Sequence, residues 1–141
     1  MSFVAVALLV LLARFDGYTQ SDRQCTDAQA SEAENILDHL SDWDHVHNAF
    51  KRFGHCDDGA LADGFSAAVA ELLTTQWETV ERLSRVVERD RKFERFVLRH
   101  VDELMSPAEA RVIVTNSRTK CPARARALCR QLATKAGGTA R

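Results

Sequence analysis

The sequence predicts an all-α protein, an orthogonal or bundle-like array of about five to seven helices cross-linked by two disulfides. Apolar residues recur at helical spacing along most of the chain, and no segment alternates apolar and polar residues over the length of a strand. The 141 residues also contain four cysteines. A chain of this length, with 45% hydrophobic and 28% charged residues, has the size and composition of one globular domain with a real core.

The first 13 residues, MSFVAVALLVLLA, carry no charged side chain. A run of this length is too short to span a bilayer, which takes about 20 apolar residues, but it fits a secretory h-region of about 7–15 residues. No Lys or Arg precedes it, as if the start were truncated, and a buried first helix is the alternative. We expect residues 1–20 to be a signal peptide, residues 21–135 a single helical domain without a membrane span, and residues 136–141 a flexible tail.

Capping residues and apolar stripes predict the first helices in order. Thr26 is placed to cap a helix that carries Ala33 and Leu40 inward, and Ser41 to cap a second helix. Gly54 stands where a helix commonly ends in left-handed geometry. A third helix from Asp57 follows the spacing i, i+4, i+7, i+8, i+11 with Leu61, Phe65, Ala68, Val69 and Leu72. Its other residues include many small ones, so another helix is expected to come close.

The second half continues the same pattern. The apolar face shifts near Gln76, and a new stripe starts at Trp77 for a fourth helix. The fifth helix has the strongest pattern, formed by Phe93, Phe96, Val97, His100, Val101 and Leu104. Ser106 and Glu109 form a capping box with Pro107 between them, and Pro122 is expected to open the last helix directly after Cys121.

The net charge of −1 hides an uneven distribution of charge. Residues 1–77 carry 4 basic and 12 acidic side chains, whereas residues 78–141 carry 15 basic and 8 acidic ones. The acidic and basic halves are expected mainly to neutralise each other in the fold. A clustered positive potential, however, also attracts an acidic partner. The candidate interaction surface is formed by Arg118, Lys120, Arg124, Arg126 and Arg130.

The even number of cysteines in a small, exported chain predicts two disulfides among Cys25, Cys56, Cys121 and Cys129. If Cys121 caps the helix that Pro122 opens, Cys129 lies about 12 Å further along the axis, beyond the ~7 Å limit for a disulfide. This excludes a bond between Cys121 and Cys129. Either remaining pairing ties the last helix to the front of the domain.

The stretch FGHCDDG contains the residues for a nucleophilic or metal-binding site, His55, Cys56, Asp57 and Asp58. The two carboxylates oppose formation of a Cys56 thiolate and are better suited to the first turn of a helix. The sequence therefore predicts no catalytic residue, and an enzyme using this segment, a small hydrolase or a metal-binding protein, is the second hypothesis.

The sequence gives little support to other metal or cofactor sites. Asp44 and His47 are spaced to reach one ion, but two ligands do not make a zinc site. His100 lies on an apolar face, which favours a core histidine with satisfied hydrogen bonds. Since no motif for zinc, nucleotide or dinucleotide binding occurs, no metal and no cofactor are predicted.

Two resemblances add to these expectations. The segments FGHCDDGALADGFSAAVAELL, KFERFVLRHVDE and TKCPARARALC resemble a group of small exported bacterial proteins without an assigned activity. The layout is also similar to that of periplasmic immunity proteins, which neutralise cell-wall-degrading effectors. It shares a cysteine before a glycine-containing helix (Cys56, Gly64), a helix with the motif V-x-x-H/Y (Val97 to His100) and a late cysteine, Cys121. Cys129 is extra to that pattern, so no inhibitory residue is carried over.

The prediction is therefore a periplasmic or secreted, disulfide-bonded helical binding protein with an unknown protein partner in the bacterial envelope. The resemblance to immunity proteins implies an inhibitor. A third hypothesis is that the basic C-terminal helix binds nucleic acid or anionic envelope polymers. This helix has no aromatic residues between its cations, and export would separate the protein from nucleic acid.

Overall fold

The computed structural model of the chain describes residues 24–101 and 105–139. The predicted signal peptide, at residues 1–20, lies outside the described residues. Within them the protein is all-α, as predicted, with seven α-helices and no strand. The helices are α1 (Asp27–Glu34), α2 (Trp43–Phe53), α3 (Gly59–Thr75), α4 (Val80–Arg89), α5 (Arg91–Arg99), α6 (Pro107–Thr119) and α7 (Arg126–Thr139).

Single 3₁₀ turns follow or precede several helices, at Leu37–His39, Gly54–Cys56, Trp77–Thr79 and Ala123–Ala125. Short 3₁₀ turns of this kind are common as connectors between α-helices. None of the helices in the described ranges combines the length and the apolar character needed to cross a bilayer.

The predicted N-terminal caps are correct at α1 and α6 and wrong at α2. The hydroxyl of Thr26 accepts from Gln29 N–H, and Ser106 forms a capping box with Glu109, both as predicted. The prediction of Ser41 as the cap of α2 is wrong, because the carboxylate of the next residue, Asp42, accepts from two backbone N–H groups of the first turn.

Gly54 does not end α2 in left-handed geometry, since its φ is −61° and the chain continues into a 3₁₀ turn. A side chain at Gly54 would instead collide with the ring of Phe50. Gly64 of α3 is needed for the same kind of reason, since a Cβ there would overlap Leu37. At Gly64, the neighbour that comes close is Leu37 of the 3₁₀ turn at Leu37–His39.

The core is one main hydrophobic cluster, with a smaller one at the front of the domain. The stripe predicted for the fifth helix is confirmed, with Phe93, Phe96, Val97, His100 and Val101 all at most 2% exposed. The α5 helix ends at Arg99, however, and Leu104 lies outside the described residues. The smaller cluster contains Ala33, Phe53, Cys56 and Leu61.

At the other end of the chain, α7 continues through Thr139, and Ala136 is fully buried. The boundary predicted for a flexible tail, at residue 136, thus falls inside a packed helix. Residues 140 and 141 lie outside the description.

The two disulfides join Cys25 to Cys56 and Cys121 to Cys129. The exclusion of a bond between Cys121 and Cys129 was therefore wrong, as were both pairings that tied the last helix to the front. Cys121 is not the cap of α7. A 3₁₀ turn at Ala123–Ala125 separates it from the helix start at Arg126, and the chain bends back so that the two Cα atoms lie 6.2 Å apart.

Candidate functional site

The segment between α2 and α3, which raised the question of a reactive site, is an anchoring point of the fold. Cys56 is 4% exposed and bonded to Cys25, and the described residues contain no free cysteine. A disulfide sulfur is not a thiolate nucleophile, so Cys56 is not available for covalent catalysis in this oxidised state.

The neighbours of Cys56 have structural partners as well. The Nε2 atom of His55 lies 3.3 Å from the amide oxygen of Gln29 in α1. The Asp58 carboxylate accepts from Gly59 N–H at 2.8 Å and caps α3. Of the four residues of the second hypothesis, three are thus used to join or start helices.

Asp57 is the fourth, and it is the centre of a buried polar cluster. Its side chain is 3% exposed, forms an ion pair with Arg99 of α5 and lies 3.2 Å from Nε2 of His100. Burial raises the pKa of this carboxyl, but hydrogen bonding to His100 and the charges of His100 and Arg99 outweigh burial, so the pKa is lowered overall. Asp57 is therefore a carboxylate that attaches α5 to the segment before α3.

His100 continues the cluster into the core. Its Nδ1 atom lies 2.8 Å from the hydroxyl of Ser66 on α3, and its ring packs against Phe96 at 4.4 Å between centroids. Because a carboxylate can only accept, Nε2 donates to Asp57. The interpretation of His100 as a core histidine with satisfied hydrogen bonds is confirmed.

Ser66, His100 and Asp57 have the composition of a hydrolase triad, but their arrangement differs from one. In serine hydrolases the base meets the serine through Nε2 and the carboxylate through Nδ1, and here the two nitrogens are exchanged. Ser66 lies in the middle of α3 and is only 7% exposed, where the backbone N–H groups are engaged in the helix rather than free to bind an oxyanion. The geometry favours a structural cluster.

The members of this cluster are far apart along the chain, so no local sequence pattern indicates it. Ser66 and His100 are separated by 34 positions, and Asp57 and His100 by 43. The only sequence signal was the single polar residue, His100, on an otherwise apolar face.

The pair considered for metal binding, Asp44 and His47, is divided between two partners. Asp44 forms an ion pair with Arg82, whereas Nε2 of His47 lies 3.0 Å from the Asp90 carboxylate. Burial opposes ionisation of Asp90, but the hydrogen bonds from His47 and from two backbone N–H groups of α5 lower its pKa overall. No group of three or more His, Cys, Asp or Glu side chains placed to hold a metal occurs in the described part of the chain.

The predicted interaction residues lie on the α6–α7 hairpin and the turn that joins its helices. Arg118, Lys120, Arg124, Arg126 and Arg130 are all exposed, and we call them the basic hairpin surface. The backbone below them is held in place, since Trp77 Nε1 donates to the Lys120 carbonyl at 3.0 Å and Ser84 donates to the Arg124 carbonyl at 3.5 Å.

The acidic and basic halves of the chain form ion pairs in one part of the molecule, but few such pairs involve the basic hairpin surface. Arg82 pairs with Asp44 and Arg99 with Asp57, so the acidic and basic halves do meet. Of the basic hairpin surface, only Arg124 has a carboxylate partner among the described residues, Glu88 at 4.0 Å. The remaining cations of the surface face solvent.

Comparison of the chain with protein-family models, with curated proteins and with solved structures finds no significant match in any of the three. The two disulfides and the all-α fold define the class, a disulfide-bonded helical protein.

Proposed function

We propose that this protein is an exported binding protein that recognises an acidic protein surface through its basic hairpin surface and carries out no catalysis. The observation that carries the proposal is the group of exposed cations on one cross-linked hairpin, of which only Arg124 is paired within the described residues. Clustered cations without carboxylate partners attract an acidic partner and increase the rate of encounter.

The cross-links support both the compartment and the mode of action. Disulfides persist in oxidising compartments, which agrees with the apolar N-terminal run and with a periplasmic or secreted location. Cys121–Cys129 closes the turn next to Lys120, Arg124 and Arg126, so the surface is rigid before a partner arrives. Rigid surfaces lose less conformational entropy on binding. An inhibitor of the immunity type, as the layout resembles, is the specific form of this proposal.

Site-specific photo-crosslinking in the producing cell tests the proposal. A photoreactive residue at Thr115, three positions before Arg118 on α6, is expected to capture a protein with an acidic surface, whereas the same residue at exposed Ser31 on α1 is not. Arg126→Glu should abolish the capture. Lys51→Glu, the same charge change at an exposed position of α2, should leave it intact.

The captured protein is then purified and its affinity measured against both variants. Equal capture at Thr115 and Ser31, or binding unaffected by Arg126→Glu, would overturn the proposal. So would turnover of a hydrolase substrate that Ser66→Ala abolishes in a folded protein, and steeply salt-dependent binding to any duplex DNA would favour the nucleic-acid hypothesis.

A further inference from the structure

A shallow groove of about 430 Å³ lies between α5 and α7, beside the basic hairpin surface. It is lined by Leu98, Ala127, Arg130, Gln131, Thr134 and Lys135. Leu98 is half-buried and packs on the main core, whereas the α7 residues of the lining are exposed. The groove is thus a surface feature with an apolar floor that continues into the core.

The α7 side of the groove extends over about two helical turns. Ala127 and Lys135 are eight positions apart, about 12 Å or two helical turns. Ala127 and Thr134 are small and lie on the same side of α7, which allows another backbone to come close. The hydroxyl of Thr134 donates to the Arg130 carbonyl at 2.9 Å, so its hydrogen is used within α7 and its methyl group is left for an apolar contact.

The charge of the groove is one-sided. Among the described residues, its lining includes two cations, Arg130 and Lys135, and no carboxylate. Arg126 precedes Ala127 directly, and exposed Arg95 lies one turn before Leu98 on α5. An occupant with apolar side chains on one face and carboxylates along the edges of that face would match both properties.

We infer that this groove docks an acidic amphipathic helix of the partner protein. The inference rests on the proposed function and specifies the part of the partner that is recognised. An open groove between two helices favours a helix over a small molecule, because small-molecule sites enclose most of the ligand surface. Leucine-type side chains would cover Leu98 and Ala127, and carboxylates would pair with Arg130 and Lys135.

The first test uses a designed probe and the full chain isolated in its oxidised form. The probe is a fluorescent peptide of about 15 residues with Leu at i, i+3, i+4 and i+7 and Glu elsewhere. It is expected to bind and to shift the NMR signals of Leu98, Ala127 and Thr134. Ala127→Glu, which fills the floor and adds a like charge, should weaken binding by about tenfold or more. Ala60→Glu, at an exposed position of α3, is the matched control and should bind as the parent does.

Three results would overturn the inference. These are equal binding to both variants, equal binding of a probe with Lys in place of Glu, and NMR shifts produced by dodecanoate but not by the peptide. Binding of the partner captured at Thr115 to the two variants distinguishes failure of this inference from failure of the proposed function. If Arg126→Glu abolishes partner binding and Ala127→Glu does not, the basic hairpin surface binds the partner and the groove does not.

Discussion

The segment between α2 and α3 and the basic hairpin surface contrast in how their polar residues are used. In the first, Asp57 is buried against Arg99 and His100, Asp58 caps α3, and Cys56 is cross-linked. In the second, the exposed cations have one carboxylate partner among the described residues, at Arg124. The residue types that suggest chemistry support the fold, and the ordinary surface charges are the ones left to interact.

The difference shows why residue type alone is a weak guide to a site. A polar side chain in a core is costly without hydrogen bonds, and Asp57 obtains them at Oδ2 from Arg99 and His100, while its buried Oδ1 has no partner among the described residues. A solvated cation has no such requirement, so its lack of a partner leaves it free for binding. Substitutions in the first region should therefore lower stability, whereas substitutions in the second should weaken binding.

The largest expected effect on stability is loss of the Cys25–Cys56 disulfide. The bond spans 31 positions, and replacing both cysteines with Ser should lower the free energy of unfolding by about 4 kcal/mol by the chain-entropy estimate. Removing Cys121–Cys129, which spans 8 positions, should lower it by about 2.5 kcal/mol. Urea denaturation of both variants checks the ranking, and the opposite order would mean that the hairpin, not the front of the domain, depends more on its cross-link.

Adjacent carboxylates give a more specific comparison. Asp57→Ala leaves a buried His100 N–H without its acceptor and should lower the free energy of unfolding by about 3 kcal/mol. Asp58→Ala removes a helix cap and should cost about 1 kcal/mol. Denaturation of both variants measures the two losses. Equal losses would show that Asp57 has no stronger role than a cap.

The pH dependence of stability should report the same carboxylate. Because the folded pKa of Asp57 is lowered, its contribution is present above the unfolded aspartate value of about 3.9 and is lost as the pH falls through the folded pKa. The free energy of unfolding of the parent should therefore fall more steeply below about pH 4 than that of Asp57→Asn. Asp90, whose pKa is also lowered, remains in both proteins, so parallel curves would contradict the role of Asp57.

The smallest effect on stability is expected where the effect on binding is largest. Arg126 is exposed, and Arg126→Glu should change the free energy of unfolding by less than about 0.5 kcal/mol while abolishing partner binding. Thermal denaturation beside the affinity measurement checks this. A loss of more than about 1 kcal/mol would place Arg126 in an intramolecular interaction and remove the contrast between the two regions.

Local patterns were predictable, and the partners of single residues were not. The capping box at Ser106 and the stripe from Phe93 to Val101 depend on residues within a few positions of one another, and both were predicted correctly. The choice between Ser41 and Asp42 as a cap failed because both residue types accept well, and which one lies at the helix start depends on packing. The cations of the interaction surface were named from sequence, but only the fold shows that Arg124 alone among them has a carboxylate partner in the described residues.

Periodicity, capping and composition were enough to predict the all-α class, most helix positions, the presence of two disulfides and the basic character of the C-terminal third. Only the fold shows which cysteines pair, what His100 and Asp57 bind, and which cations have no carboxylate partner among the described residues. These depend on the distances between residues far apart in sequence. A single 3₁₀ turn at Ala123–Ala125, for example, brought Cys121 and Cys129 to 6.2 Å between their Cα atoms, where a continuous helix would have held them apart.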